Sequence, residues 1–235
     1  MSELSIDTII KKRKTEGILA APNSPWTCQS KLGDFRPTIE ALLDLAVMAP
    51  YHKPCAEHHQ QTLASSVPWR FYVLDAMNCR WLLDYIKKEN IPSGKIANML
   101  AAADALFLVT WLPDQTESLV AKDELSEVLP FEGTLRNMEH IAAASCAIQN
   151  VLIGATARNI PNYWSTGGQL RKFQLRQYLQ IPLTEILLGA VFLFPTDSKN
   201  RTEQVKPGKM RQKGKEKATW SKWVQLKSPS AVSSK

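Results

Sequence analysis

Residues 137–158 contain no proline and are apolar on nearly every helical face, and this stretch constrains the chain more than any other. Ile141, Ile148 and Ala155 repeat on one side, and Ala143, Cys146, Ile153 and Ala157 on the other. A helix that is apolar nearly all round must be buried on most faces. Ala142, Ala143, Ala144, Ser145, Ala147 and Gly154 let other backbones approach closely, as at a domain centre or a subunit contact. Such a helix runs roughly 33 Å. Asn159 and Pro161 stop it, because proline has no amide hydrogen with which to continue the ladder. Residues 163–168, Tyr-Trp-Ser-Thr-Gly-Gly, are then expected to form a loop of hydroxyls, amides and two aromatic rings, suited to a flat or anionic ligand.

A chain of 235 residues supplies ample material for a core around that helix, and no internal repeat or second core is evident. No cleavable signal precedes Lys11, Lys12, Arg13 and Lys14, and no uninterrupted apolar run is long enough to span a bilayer, so a cytoplasmic protein without a membrane role is expected. Cys28, Cys55, Cys79 and Cys146 lack paired spacing and fit a reducing compartment. The net charge of +7 is concentrated: residues 199–217 hold eight Lys or Arg against Glu203 and Glu216, leaving the rest almost neutral. No nucleic-acid module accompanies this run, so nucleic acid is not an expected partner.

Along the chain, residues 5–14 read as a short helix with Ile6, Ile9 and Ile10 inward and a basic end favourable to the helix dipole. Arg13-Lys14-Thr15 has a second reading as a phosphate clamp, a guanidinium fork with a hydroxyl beside it. A helix is expected over residues 37–49, ended by Pro50, and others over 78–88, 95–103 and 170–179. Residues 69–75 read as a strand. The continuous apolar runs 105–111 and 185–194 read as strands buried on both faces, with a last short strand near 219–226. Residues 112–131 turn acidic, a solvated surface or a cover over a site. Two interior strands, several helices and no regular βαβ alternation indicate an α+β fold.

Several site patterns are missing: no G-x-G-x-x-G after a strand, no Walker loop, no G-x-S-x-G and no H-E-x-x-H. His52, Cys55, Glu57, His58 and His59 share a loop, but their spacing matches no closed zinc site, so an exposed polar loop without metal is expected. Cys146, on an apolar helix face, is expected to be an inert core thiol.

Taken together, the chain resembles the FMN-dependent nitroreductase family over most of its length. The matching pieces stand in order: Arg13-Lys14-Thr15, Ala49-Pro50-Tyr51-His52-Lys53, Pro68-Trp69-Arg70-Phe71, Gln149-Asn150, Trp164-Ser165-Thr166-Gly167, and Ile181-Pro182 before a strand ending in Pro195. The Ala-Pro-x-His-Lys form is closest to the small single-domain subgroup.

The resemblance implies an α+β fold with a central mixed β-sheet flanked by helices, and a homodimer with FMN at the subunit interface. One domain would span residues 1–227, with an insertion at 55–67 and a disordered tail at 228–235. Arg13 and Thr15 would hold the FMN phosphate or ribityl end with Lys14 beside them. Met48 and His52 would lie near the flavin, Trp164, Ser165 and Thr166 would form the loop at the cofactor, and Lys209 or Arg211 would reach the phosphate. Chemistry would belong to the flavin, with no catalytic acid or base: NAD(P)H is the implied co-substrate and a nitroaromatic, quinone or related small molecule the acceptor. Flavin binding without nitroreductase turnover, or a specialised flavin-consuming or dehalogenating reaction, remains the alternative. The family joins its first flavin loop directly to Pro-Trp, whereas here residues 55–67 intervene and could roof the site.

Overall fold

The computed structural model describes residues 5–27, 32–61, 63–114, 131–201, 205–207 and 220–224. In chain order its elements are α1 (Ile6–Lys12), β1 (Glu16–Ile18), α2 (Leu32–Ala46), β2 (Trp69–Asp75), α3 (Ala76–Lys88), α4 (Lys95–Ala102), β3 (Ala105–Trp111), α5 (Leu135–Ala157), β4 (Asn162–Ser165), α6 (Phe173–Tyr178), β5 (Ile186–Leu193), α7 (Ser198–Arg201) and β6 (Val205–Pro207). The expected long helix is thus α5, started by Thr134, whose side chain accepts from the Asn137 amide.

The main sheet has the order β2-β3-β5-β4, and β1 pairs with β6 in a separate ribbon. β3 is buried along its whole length and β5 nearly so, as their unbroken apolar runs require. Period-two alternation sends Leu106 and Leu108 of β3 to the face covered by α3 and α4. Phe107, Val109 and Trp111 go to the face covered by α2 and α5. α2 packs directly on α5 at Gly154, where a methyl group would collide with Leu45.

The α+β class and the long central helix stand, but the described sheet pairings are all antiparallel rather than mixed. The reason lies in the connection: α3 and α4 form a helical hairpin that returns the chain to the end where β2 left it. Asp75 accordingly pairs with Ala105, the last residue of one strand beside the first of the next. A single crossover helix would have given a parallel pair.

Other expectations shift in informative ways. α1 buries no residue, and Ile6 and Ile10 remain on the surface because this short helix lies outside α5. α2 begins at Leu32 and tolerates Pro37, which removes only one hydrogen bond near its N-terminus. Residues 162–165, expected as loop, form a strand against β5, since Tyr163 and Trp164 are good strand formers. The helix expected over 170–179 is split by extended Lys172 into a 3-10 turn (Gly168–Arg171) and α6. Residues 220–224 form no strand; β6 fills that part instead, pairing with β1. The acidic segment at 115–130 and the tail at 228–235 lie outside the described residues.

Cys146 is exposed, in contrast to its expected burial, because α5 turns only one side to the sheet. α5 is also long and apolar enough to cross a bilayer, yet 56% of its most apolar window is buried inside the protein. Its placement between α2 and the sheet is that of a core helix.

Asp104 provides a pH handle on this fold. Burial outweighs the guanidinium groups of Arg80 and Arg201 and, with Asp197 nearby, pushes its carboxyl up to about 6. Between about pH 4 and about pH 6 the folded protein keeps a proton that the unfolded chain releases, so stability falls as pH rises through that window. Asp104→Asn is expected to flatten that fall and to gain about 1–2 kcal/mol on wild type near pH 7, allowing for solvent screening. Thermal melts across the window check it; an unchanged slope in the variant would contradict the assignment.

Candidate active site

The segment 13–15 leaves α1 in extended form, with the Arg13 amide donating to Ile9 O at 2.8 Å. Arg13 and Thr15 are half-buried on this segment, and Lys14 between them is exposed. Lys14 is engaged there by Glu16, at 2.9 Å, and Lys199 reaches the same carboxylate at 2.8 Å. Burial opposes ionisation of Glu16, but hydrogen bonds from Lys199 and Lys14 overcome it and hold the carboxyl below its usual range. Lys14 therefore ties β1 to α7 rather than standing with Arg13. Lys209 and Arg211 lie outside the described residues. β6 ends at Pro207, which pairs with Glu16, the residue after Thr15.

Around Lys14 opens a cavity of about 180 Å³, lined by Lys12, Glu16, Thr156, Asn159, Asn162, Thr196 and Lys199 among others. It is smaller than the roughly 300 Å³ at which sites for ligands of flavin size begin. A larger cavity of about 320 Å³ lies between β2, α3 and residues 178–180, with Trp81 and Tyr178 in its wall. Neither cavity includes Arg13, His52 or Trp164 in its lining.

The loop after α2 is held at its root by Asn150, whose side-chain amide donates to Leu45 O at 3.0 Å. Met48 then projects into solvent at 73% exposure, and His52 is also exposed. Tyr51 packs edge-on against Trp69 with ring centres 5.7 Å apart. On α5, Met138, Ala142 and Cys146 are likewise exposed.

Residues 55–67 are not the exposed polar loop expected. Cys55 and His59 are buried, and the Arg70 guanidinium donates to the carbonyls of His59, Leu63, Ser65, Val67 and Trp69. His59 Nε2 donates to Pro113 O at 2.8 Å, and burial holds its imidazole below the usual range. The carbonyl of Pro113 thus engages one of the two ring nitrogens of His59. Among the described residues no group of three or more His, Cys, Asp or Glu could hold a metal ion.

Trp164 and Ser165 stand half-buried on β4 and Thr166 is exposed just beyond it. Ser165 Oγ accepts from the Gly167 amide at 3.1 Å, closing a tight turn. Gly167 has φ of 102°, a backbone that side chains rarely adopt, and a methyl group there would lie 2.9 Å from Leu187. Arg171 braces the turn, Nε donating to Thr166 O at 2.7 Å and Nη2 to Leu188 O at 3.3 Å. Burial, with the charge of Arg176, lowers the Arg171 pKa from its ordinary value. Sequence reasoning missed both Arg70 and Arg171, because their partners are backbone carbonyls that carry no residue signature.

Arg13 and Thr15 offer the fork and hydroxyl that a phosphomonoester requires, and the turn at 165–168 offers polar backbone beside an indole. This donor set fits the phosphate and ring of FMN in kind, and neither described cavity is lined by it.

Solved structures of similar fold carry a consistent description. The nitroreductase-like family protein from Bacillus cereus is 16% identical, covers 96% of this chain and 99% of its own, and superposes with a TM-score of 0.59. The FMN-dependent nitroreductase NfnB from Mycobacterium smegmatis, in complex with NADPH, is 11% identical over 93% of this chain and 97% of its own, at 0.54. A nitroreductase family protein from Clostridium novyi NT is 14% identical over 83% and 88%, at 0.51. None of the curated proteins matches the chain. The sequence model of the Nitroreductase family matches residues 36–193, from α2 through β5, and by that match this chain belongs to the nitroreductase family.

Proposed function

We propose that the protein is an FMN-dependent oxidoreductase that takes hydride from NADH or NADPH and reduces a nitroaromatic, quinone or related small molecule. The observation that carries the reading is the match to the nitroreductase family, with Arg13 and Thr15 on the segment that leads from α1 into β1. The similar NfnB is described as FMN-dependent and in complex with NADPH.

Bound FMN would supply the hydride chemistry. The chain's own part is to fix the phosphate through Arg13 and Thr15, and to present the turn at 165–168 in one shape through Ser165 and Arg171. Lys14, engaged by Glu16, contributes positive charge near the phosphate rather than a direct bond.

The open side of this site is covered by a second copy. Met138, Ala142 and Cys146 on α5, and Val47 and Met48 after α2, are apolar residues that one chain leaves exposed. An exposed apolar set of this kind suits a two-fold dimer and brings His52 of one subunit toward the flavin of the other. Sedimentation at micromolar protein should therefore give a dimer, and a folded monomer would contradict this arrangement.

Anaerobic addition of NADH or NADPH to the FMN-loaded protein is expected to bleach the flavin band, and a nitroaromatic or quinone to restore it. A flavin band that neither nucleotide bleaches would replace this reading with a flavin-binding protein without such turnover.

A further inference from the structure

Residues 55–67 are held to the rest of the protein by few bonds. Among the described residues, the hydrogen bonds that tie this segment to other parts of the chain are those from the Arg70 guanidinium, the bond between His59 and Pro113, and a 3.4 Å contact between the Ser66 and Tyr51 hydroxyls. The His59 tether is the one whose donor titrates near neutral pH. A carbonyl can only accept, so His59 Nε2 carries the proton of the neutral ring and Nδ1 is its one remaining basic atom.

Basic groups stand around that buried ring from three elements. His58, beside it in the segment, has its ring centre 4.0 Å away. Arg70 of β2 brings Nη2 to 3.2 Å from the His59 carbonyl, and a guanidinium keeps its charge throughout the working range of pH. From α5, His140 donates through Nδ1 to Leu112 O at 2.9 Å, the carbonyl before Pro113, and its Nε2 is buried with no partner. The neighbouring carboxylates are engaged or directed elsewhere: Asp114 is paired with Arg136 at 3.2 Å, Glu57 is exposed, and Glu139 lies about 100° round α5 from His140. A proton taken up by His59 would therefore add a second positive charge near Arg70 in a buried place, with no carboxylate bonded to it.

We propose that His59 is an acid-released latch, which in its neutral form pins residues 55–67 to the end of β3 and on taking up a proton at Nδ1 frees that segment while the sheet and α5 stay in place. This goes beyond the flavin reading and does not depend on it. Burial, then the charges of His58, Arg70 and His140, hold the imidazole below its usual range, and the Pro113 bond works the other way without overcoming them. The closed form thus binds the proton more weakly than the open form, so the latch holds fully above about pH 6.5 and weakens as pH falls below it. Asp104 acts on the whole fold with the opposite sign, so the readout must be local.

Hydrogen exchange of residues 55–67, corrected for intrinsic rates and referred to β3 in the same sample, provides it. In wild type, protection of the segment should fall about tenfold between about pH 7.5 and about pH 5.5, the factor by which an ordinary imidazole favours the open form one pH unit below its pKa. β3 should keep its protection. His59→Gln offers an amide N–H in place of Nε2–H and does not titrate, so the fall should shrink to less than about twofold. The His59 ring signals in proton NMR of wild type should titrate together with the exchange, a check that stands even if glutamine fails to hold the segment.

Unchanged protection of 55–67 in acid would overturn the latch. So would the full fall in His59→Gln, or a His59 ring that stays neutral while the segment opens. An equal loss in β3 would make the opening global and overturn the latch as well.

Discussion

Replacing Arg70 by methionine is expected to destabilise the protein by about 3–5 kcal/mol and to release residues 55–67 from the fold. Arg70 is only 4% exposed, and its two terminal nitrogens serve five carbonyls: Nη1 reaches Val67 and Trp69 at 2.8 Å each, and Nη2 reaches His59, Ser65 and Leu63 at 3.2, 3.1 and 3.3 Å. Hydrogen bonds from a charged donor are about twice as strong as neutral ones. Methionine would fill much of the volume but take the guanidinium from all five; Leu63 O keeps the Ser65 amide and Ser65 O the Cys55 thiol, while those left with no other donor cost about 1–3 kcal/mol for each that stays buried. The loop would relax toward water, which limits the total. At this chain length the midpoint of thermal unfolding should fall by roughly 6–20 °C. Lysine should rescue little, since three donors on one ammonium cannot reach all five carbonyls that the guanidinium fork serves. Thermal melts with limited proteolysis at 55–67 read the outcome, and a variant as stable and as resistant as wild type would contradict the role given to Arg70.

Replacing Arg13 by alanine is expected to weaken FMN binding by roughly 10- to 150-fold, the loss of one charge-assisted bond of about 1.5–3 kcal/mol. Riboflavin, which lacks the phosphate, should lose much less. The fold should survive, because α1 buries no residue and Arg13 stands at its end. Lys14→Ala provides the contrast: Lys14 is engaged by Glu16, so its loss should lower stability slightly and affect FMN far less than the loss of Arg13. Equal losses of FMN and riboflavin in Arg13→Ala, or none, would move the phosphate site elsewhere.

The parts of this fold that were legible in the sequence are those where one residue pattern has one physical solution. The unbroken apolar runs at 105–111 and 185–194 read as strands buried on both faces, and the proline-free stretch at 137–158 reads as one long, mostly buried helix. Where a pattern has two solutions, context chose. Ile6 and Ile10 have helical spacing, but a helix of seven residues on the outside of α5 need not bury them. Tyr163 and Trp164 are good strand formers, but the hydroxyls and glycines that follow them read as loop, and pairing with β5 made residues 162–165 strand.

The site was less legible, because its supports act through backbone. Arg171 meets Thr166 and Leu188, and Arg70 meets five carbonyls, none of which depends on the identity of the residue that carries it. The separation of Lys14 from Arg13 likewise needed the position of Glu16.

The measurement that bears most directly on the central claim is an equilibrium titration of flavin-free wild-type protein with FMN and with riboflavin, followed by flavin fluorescence. One FMN per chain, bound at least tenfold more tightly than riboflavin, is the predicted result, since about 1.4 kcal/mol from the phosphate contacts gives that ratio. Absence of FMN binding, or equal affinity for the two ligands, would contradict the account.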